Sequence, residues 1–184
     1  GGGLENRHNQ GNGELRHGRM HIVFSTVTGN RSATSLADPA ESRVGGGLFN
    51  VGWAYIASSV LAGNDEAFGG PHPLRSPDCY SPTQYDFKSY RNNFVGVLNG
   101  NCLLGDYSSG GAFGIQSGTE AAPLVPALGA RTNSPLPHRV PMPGSLVDAG
   151  GGSGNAIYPC PKSDIRGRPR PAGAACDIGA VERQ

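Results

Sequence analysis

The chain has 184 residues, enough for one domain, with 16% charged side chains and a net charge of +1. A near-neutral chain without a basic tract lacks the electrostatic footprint of a nucleic-acid binder, and its most apolar run, Val51–Gly63, is too short to span a bilayer. Its 30 Gly and 15 Pro would suggest disorder if they fell without a period, but they recur with one.

The chain opens "GGGLEN", with no Met and no signal peptide, and so reads as a piece of a longer protein with residues before Gly1. The polar stretch "ENRHNQGNGELRHGRM" reads as a loop leading into a strand, and it carries His8, His17 and His21. Histidines four apart share a metal on a helix. On a strand they lie about 13 Å apart, so this group is expected to be solvated. Met20, Ile22 and Phe24 then alternate with Arg19, His21 and Val23, the period of two that marks a strand. The segment closes on Gly29-Asn30, a step suited to a corner that needs a positive φ.

A second copy follows. Ser25–Asn30 aligns with Ser59–Asn64 at an offset of 59 − 25 = 34, which carries Ile22 onto Ile56 and Val27 onto Leu61, then onto Val95. The glycine triplets lie 45 − 1 = 44 apart, so the first segment holds about ten extra residues, expected as a loop. Repeats of this length, each with short strands, predict a solenoid whose units stack on one apolar column. Within "WAYI", Ala54 and Ile56 are expected to face inward, with Trp53 and Tyr55 outward. "GNDEAFGG" places Asp65 and Glu66 on a turn, where a calcium ion could bind but a plain polar turn is the simpler reading.

Aromatic residues concentrate between positions 53 and 90: Trp53, Tyr55, Tyr80, Tyr85, Phe87 and Tyr90. Outward rings here could stack on sugars, unless the excursion "PHPLRSPDCYSPTQYDF" covers them. Asp86, Lys88 and Arg91 are the weak catalytic candidates, a carboxylate beside two cations. No G-x-S-x-G elbow or phosphate-binding loop is present, and "GGGSGN" at Gly150–Asn155 lacks the Asp of a calcium nonapeptide. Cys79, Cys102, Cys160 and Cys176 are even in number and lack C-x-x-C spacing, which favours two disulfides over zinc or redox chemistry. Three pairings exist; Cys79–Cys102 with Cys160–Cys176 closes the shortest loops and is expected.

The rungs "GGGLFN" and "SSVLAGN" resemble those of bacterial right-handed parallel β-helix proteins of the pectate-lyase-like superfamily. The tail carries a more specific likeness. Asp164, Arg166-Gly167, Pro169-Arg170-Pro171 and Cys176–Glu182 ("CDIGAVE") resemble the end of a choice-of-anchor Q domain, as does "SPDC … NNFVG … NC" over Ser76–Cys102. The resemblance implies an all-β, right-handed parallel β-helix: coils with loop excursions over residues 1–122 and a loop-rich C-terminal cap over 123–184. It implies a secreted or cell-surface protein, displayed through an anchor, with a structural or carbohydrate-adhesion role. A polysaccharide or surface glycan is the implied partner; no cofactor is expected, although polysaccharide lyases on this fold use calcium, so a calcium ion is possible. The alternative is a polysaccharide lyase or hydrolase with active residues partly upstream. In the tail, Asp164, Arg166 and Arg170 could form a carbohydrate or carboxylate site, but a bonding role within the terminal segment is the expected one, as for Asp177 and Glu182. An open first coil would expose apolar stack and strand edges, so further N-terminal coils or a partner chain are expected against it.

Overall fold

The computed structural model describes residues 3–11, 14–32, 45–66, 77–81, 86–106, 115–119, 121–126, 128–131, 139–151 and 157–184. Among these, every regular element is a strand. The first segment contributes β1 (Leu4–Asn6), β2 (His8–Gly11), β3 (Glu14–His17), β4 (Arg19–Val23), β5 (Thr26–Val27) and β6 (Arg31–Ser32). The second contributes β7 (Leu48–Asn50), β8 (Trp53–Ala57), β9 (Val60–Leu61) and β10 (Asp65–Glu66). The third contributes β11 (Cys79–Tyr80), β12 (Phe87–Arg91) and β13 (Phe94–Val95), and a fourth β14 (Gly105–Asp106) and β15 (Gln116–Ser117).

Each segment adds one strand to each of several parallel sheets. These run β1-β7-β11, β4-β8-β12-β14, β5-β9-β13-β15 and β6-β10. The offset of 34 is the register itself: Ile22 pairs with Ile56, Val27 with Leu61, and Leu61 with Val95. The first sheet keeps the offset of 44, with Leu4 opposite Leu48. The ten residues between the two offsets are not a loop but an antiparallel hairpin, β2 on β3, with His8 opposite His17. The pairing is made by backbone groups, so the polar side chains of this stretch gave no sign of it.

Ile22, Val27, Leu48, Ala54, Ile56, Leu61, Phe87 and Val95 form the main core, with the Cys79–Cys102 disulfide buried among them. Phe87, grouped above with the exposed aromatics, is fully buried, since it continues the inward column in register with Ala54. Glycine is required in the triplets because the segments touch there. A Cβ on Gly46 would collide with the Asp65 carbonyl, and one on Gly47 with the Asp78 carbonyl.

The corners carry the rest of the period. Gly29 and Gly63 take positive φ, as expected, at 69° and 71°. A second corner was not foreseen: Phe24, Ser58 and Asn92, again 34 apart, adopt φ of 44°, 46° and 35°. The residue after each enters a buried polar ladder. Ser25 N–H donates to Ser59 Oγ at 3.0 Å, and Ser59 N–H to Asn93 Oδ1 at 3.1 Å. Two more ladders run through Asn6, Asn50 and Ser81, and through Asn30, Asn64 and Asp78. They satisfy backbone groups that a bend removes from the strand pairing.

The C-terminal segment, read above as a cap, runs along the outer face of the β5-β9-β13-β15 sheet. Leu146 and Ile178 pack on Val60, Ala62 and Phe94 there. Backbone and side-chain bonds join it to every segment: Ser145 to Gln116, Gly150 to Asn92, Gly179 to Ser58, and Ala180 to Thr26. The sheet needs this cover because both faces of β9 are apolar.

Candidate functional site

Alternation along β8 turns Trp53 and Tyr55 outward, each half-buried, while Ala54 and Ile56 are buried. Register then sets their neighbours. Arg19 lies opposite Trp53, and His21 opposite Tyr55, with Lys88 on its other side. A β-bulge at Tyr90 shifts the β12 register between Ser89 and Arg91 and aims Tyr90 at the same face.

The result is a belt of rings. His17 stacks on Trp53 at 5.7 Å, and the Arg19 guanidinium lies 4.7 Å from the Trp53 ring centroid. His21 meets Tyr55 at 4.9 Å, Tyr55 meets Tyr90 at 5.5 Å, and Tyr90 meets Tyr158 edge-on at 4.9 Å. Tyr158 arrives from the C-terminal segment, and its hydroxyl bonds His21 Nδ1. The belt presents apolar ring faces among hydroxyl, imidazole, ammonium and guanidinium donors. That combination can hold a sugar by stacking on its C–H face and bonding its hydroxyls. A smaller stack, Phe49 on Tyr80 at 5.3 Å with Arg7 over Phe49, decorates the β1-β7-β11 sheet.

The sequence pointed to Trp53, Tyr55 and Tyr90 but missed His17, His21 and Tyr158. For His21 the signal was available, since it lies one period before Tyr55. Tyr85 and most of the excursion that could have covered the rings fall outside the described residues. Of the catalytic candidates, Lys88 joins the belt beside Tyr55. Asp86 precedes β12, where its carbonyl accepts Ala54 N–H at 2.6 Å, and Arg91 ends β12 opposite Ala57.

Asp65 and Glu66 lie on strand β10 rather than on a turn, because they pair with Arg31 and Ser32. Strand alternation sends their carboxylates to opposite sides. Asp65 is exposed, 3.4 Å from Arg31, while Glu66 is buried and accepts Gly45 N–H. Among the described residues, no group of three His, Cys, Asp or Glu could hold a metal ion. Asp65 and Asp78 line one cleft of about 580 Å³. Asp78 is held there on both oxygens: Asn64 N–H and Nδ2 donate to Oδ1, and Val97 N–H to Oδ2. Burial pushes its pKa above the ordinary value against the pull of those bonds.

The tail motif is a buried knot. Asp164 accepts from Arg166 Nε and from the backbone N–H groups of Arg166, Arg168 and Glu182. Burial alone would raise its pKa, but the Arg166 guanidinium and these amides outweigh burial and hold it below the ordinary value. Glu182 accepts Ala172 N–H and Asp177 N–H and lies 3.2 Å from Arg170 Nε, both side chains 1% exposed. Burial lowers the Arg170 pKa, and the charges of Glu182, Asp164 and Asp177 act against that fall. Cys160–Cys176 closes the segment, so the shortest-loop pairing is the one present.

Compared with protein families, with curated proteins and with solved structures, the chain matches none. No helix among the described residues is long and apolar enough to cross a membrane.

Proposed function

We propose that the chain is a right-handed parallel β-helix of the pectate-lyase-like type, ending in a segment of choice-of-anchor Q character, and that it adheres to glycans. The observation that carries the binding role is the belt of Trp53, Tyr55, Tyr90 and Tyr158 with His17 and His21 on one outer sheet face. The parallel sheets with a 34-residue register support the solenoid. The two disulfides support an oxidising compartment, hence secretion or surface display. Further coils or a partner chain would extend the edges of β1, β4 and β5.

The test is binding to an array of neutral and acidic polysaccharides, with Trp53→Ala and Tyr55→Ala as variants. At least a tenfold loss of affinity is expected in each. Unchanged affinity in both variants would overturn the aromatic face as the site. The same samples, assayed for unsaturated uronate or new reducing ends with and without calcium, should show no turnover. Turnover abolished by Asp86→Asn or Arg91→Ala would replace the binding module with the lyase or hydrolase alternative.

A further inference from the structure

A second cleft, of about 330 Å³, opens where the β5–β6 corner meets the C-terminal segment. Thr28, Gly29, Ile165, Val181, Arg131 and Arg139 are among the residues that line it. It shares no residue with the aromatic belt, so its fate does not depend on the reading given to that face.

The charge of this cleft is unbalanced. Both arginines are exposed, and among the described residues no carboxylate lines the cleft. Most acids of the adjoining segment are spent inward: Asp164 on Arg166, Glu182 on Arg170, and Asp177 on the backbone of Asp148 and Arg183, while the exposed Asp148 accepts Ala175 N–H. Elsewhere Arg7 and Arg31 pair with Glu5 and Asp65. Among the described residues Arg131 has no such partner, and the one acceptor of Arg139 there is the Gly129 carbonyl, at 3.3 Å. That bond orients the guanidinium and leaves its other donors for a ligand. Two like charges held on one cleft repel, and a bridging dianion turns that repulsion into attraction. The guanidinium fork matches tetrahedral oxyanions through paired N–H donors. Gly29, at φ 69° with open space where a Cβ would stand, lets a ligand approach the backbone beside the Thr28 hydroxyl.

We infer that this cleft binds a phosphate group, carried as a monoester by a small saccharide or present as the free ion. A phosphate monoester carries about −1.5 to −2 at neutral pH, which matches two arginines better than a single carboxylate does. The volume lies within the roughly 300–1,000 Å³ range of small-molecule sites, so a sugar ring can follow the phosphate onto the exposed Ile165.

Calorimetric titrations with glucose 1-phosphate, inorganic phosphate and glucose test the assignment on the intact chain and on Arg131→Ala/Arg139→Ala. Both phosphates are expected to bind and to weaken as salt rises, glucose is not expected to bind here, and the double variant should lose at least tenfold. Tighter binding of glucose 1-phosphate assigns the site to a sugar phosphate, and equal binding assigns it to the free ion. Phosphate affinity unchanged in the double variant, or no phosphate binding at millimolar concentration, overturns the inference. The arginines are exposed, and an unchanged melting temperature will show that the variant is folded. Trp53→Ala should leave phosphate binding intact, which separates this site from the aromatic face.

Discussion

Asp164 accepts four hydrogen bonds with its side chain fully buried, so its charge belongs to the folded state. Its folded pKa lies below the ordinary 3.8. The stability it adds is therefore present above that value and lost as pH falls below it. Asp164→Asn should cost about 1.5–3 kcal/mol at neutral pH, from the loss of charge-assisted bonds. In chemical denaturation the gap between variant and parent should close as pH drops below 3.8. A gap independent of pH would show that the carboxylate is not ionised in the fold. Glu182→Gln leaves the Arg170 guanidinium buried without its counter-charge and should cost about 3–5 kcal/mol. Ile56, fully buried between Ile22 and Ser89, should cost about 2–5 kcal/mol as Ile56→Ala.

At the scale of elements, the hairpin shows how far periodicity reaches. Arg7 stands opposite the place Val51 holds, and Gly18 the place Gly52 holds, but Val51 and Gly52 are consecutive. The hairpin is thus inserted at one peptide bond, and Gly18 N–H donates to the Arg7 carbonyl across its base at 3.3 Å. Deleting residues 8–17 should restore the uniform period and leave a cooperative melt, with loop closure changed by only about 0.6 kcal/mol per halving of the insertion. A non-cooperative melt would show that the hairpin supports the sheets. The inward column and the Gly-Asn corner were legible because stacking demands the same side chain at each pass. The corner at Phe24, Ser58 and Asn92 was not, since three unlike residues share one backbone shape and only φ reveals it. The belt was half legible. Strand alternation exposes Trp53 and Tyr55, but Tyr158 reaches them through tertiary packing that no spacing encodes.

Over the whole molecule, the C-terminal segment decides whether the strands behave as separate units or as one. A repeat stack held only by nearest neighbours melts gradually. Here the segment from Ser145 onward bonds to strands or corners of all four segments. Reducing both disulfides should therefore lower the melting temperature without broadening the transition, provided the Asp164–Glu182 knot holds. The Cys160–Cys176 link alone, closing 16 residues, contributes roughly 3 kcal/mol in the chain-entropy model.

That returning segment also sets a clock on biosynthesis. Val60 is covered by Ile178, which follows it by 178 − 60 = 118 residues. At about 5–20 residues per second, the apolar outer face of β9 waits roughly 6–24 s after Val60 is made before its cover exists. During that interval Val60, Ala62 and Phe94 present a sticky strip on strands already able to pair. Nascent chains stalled before Ser145 should accordingly recruit hydrophobic-patch chaperones, and chains released at full length should not.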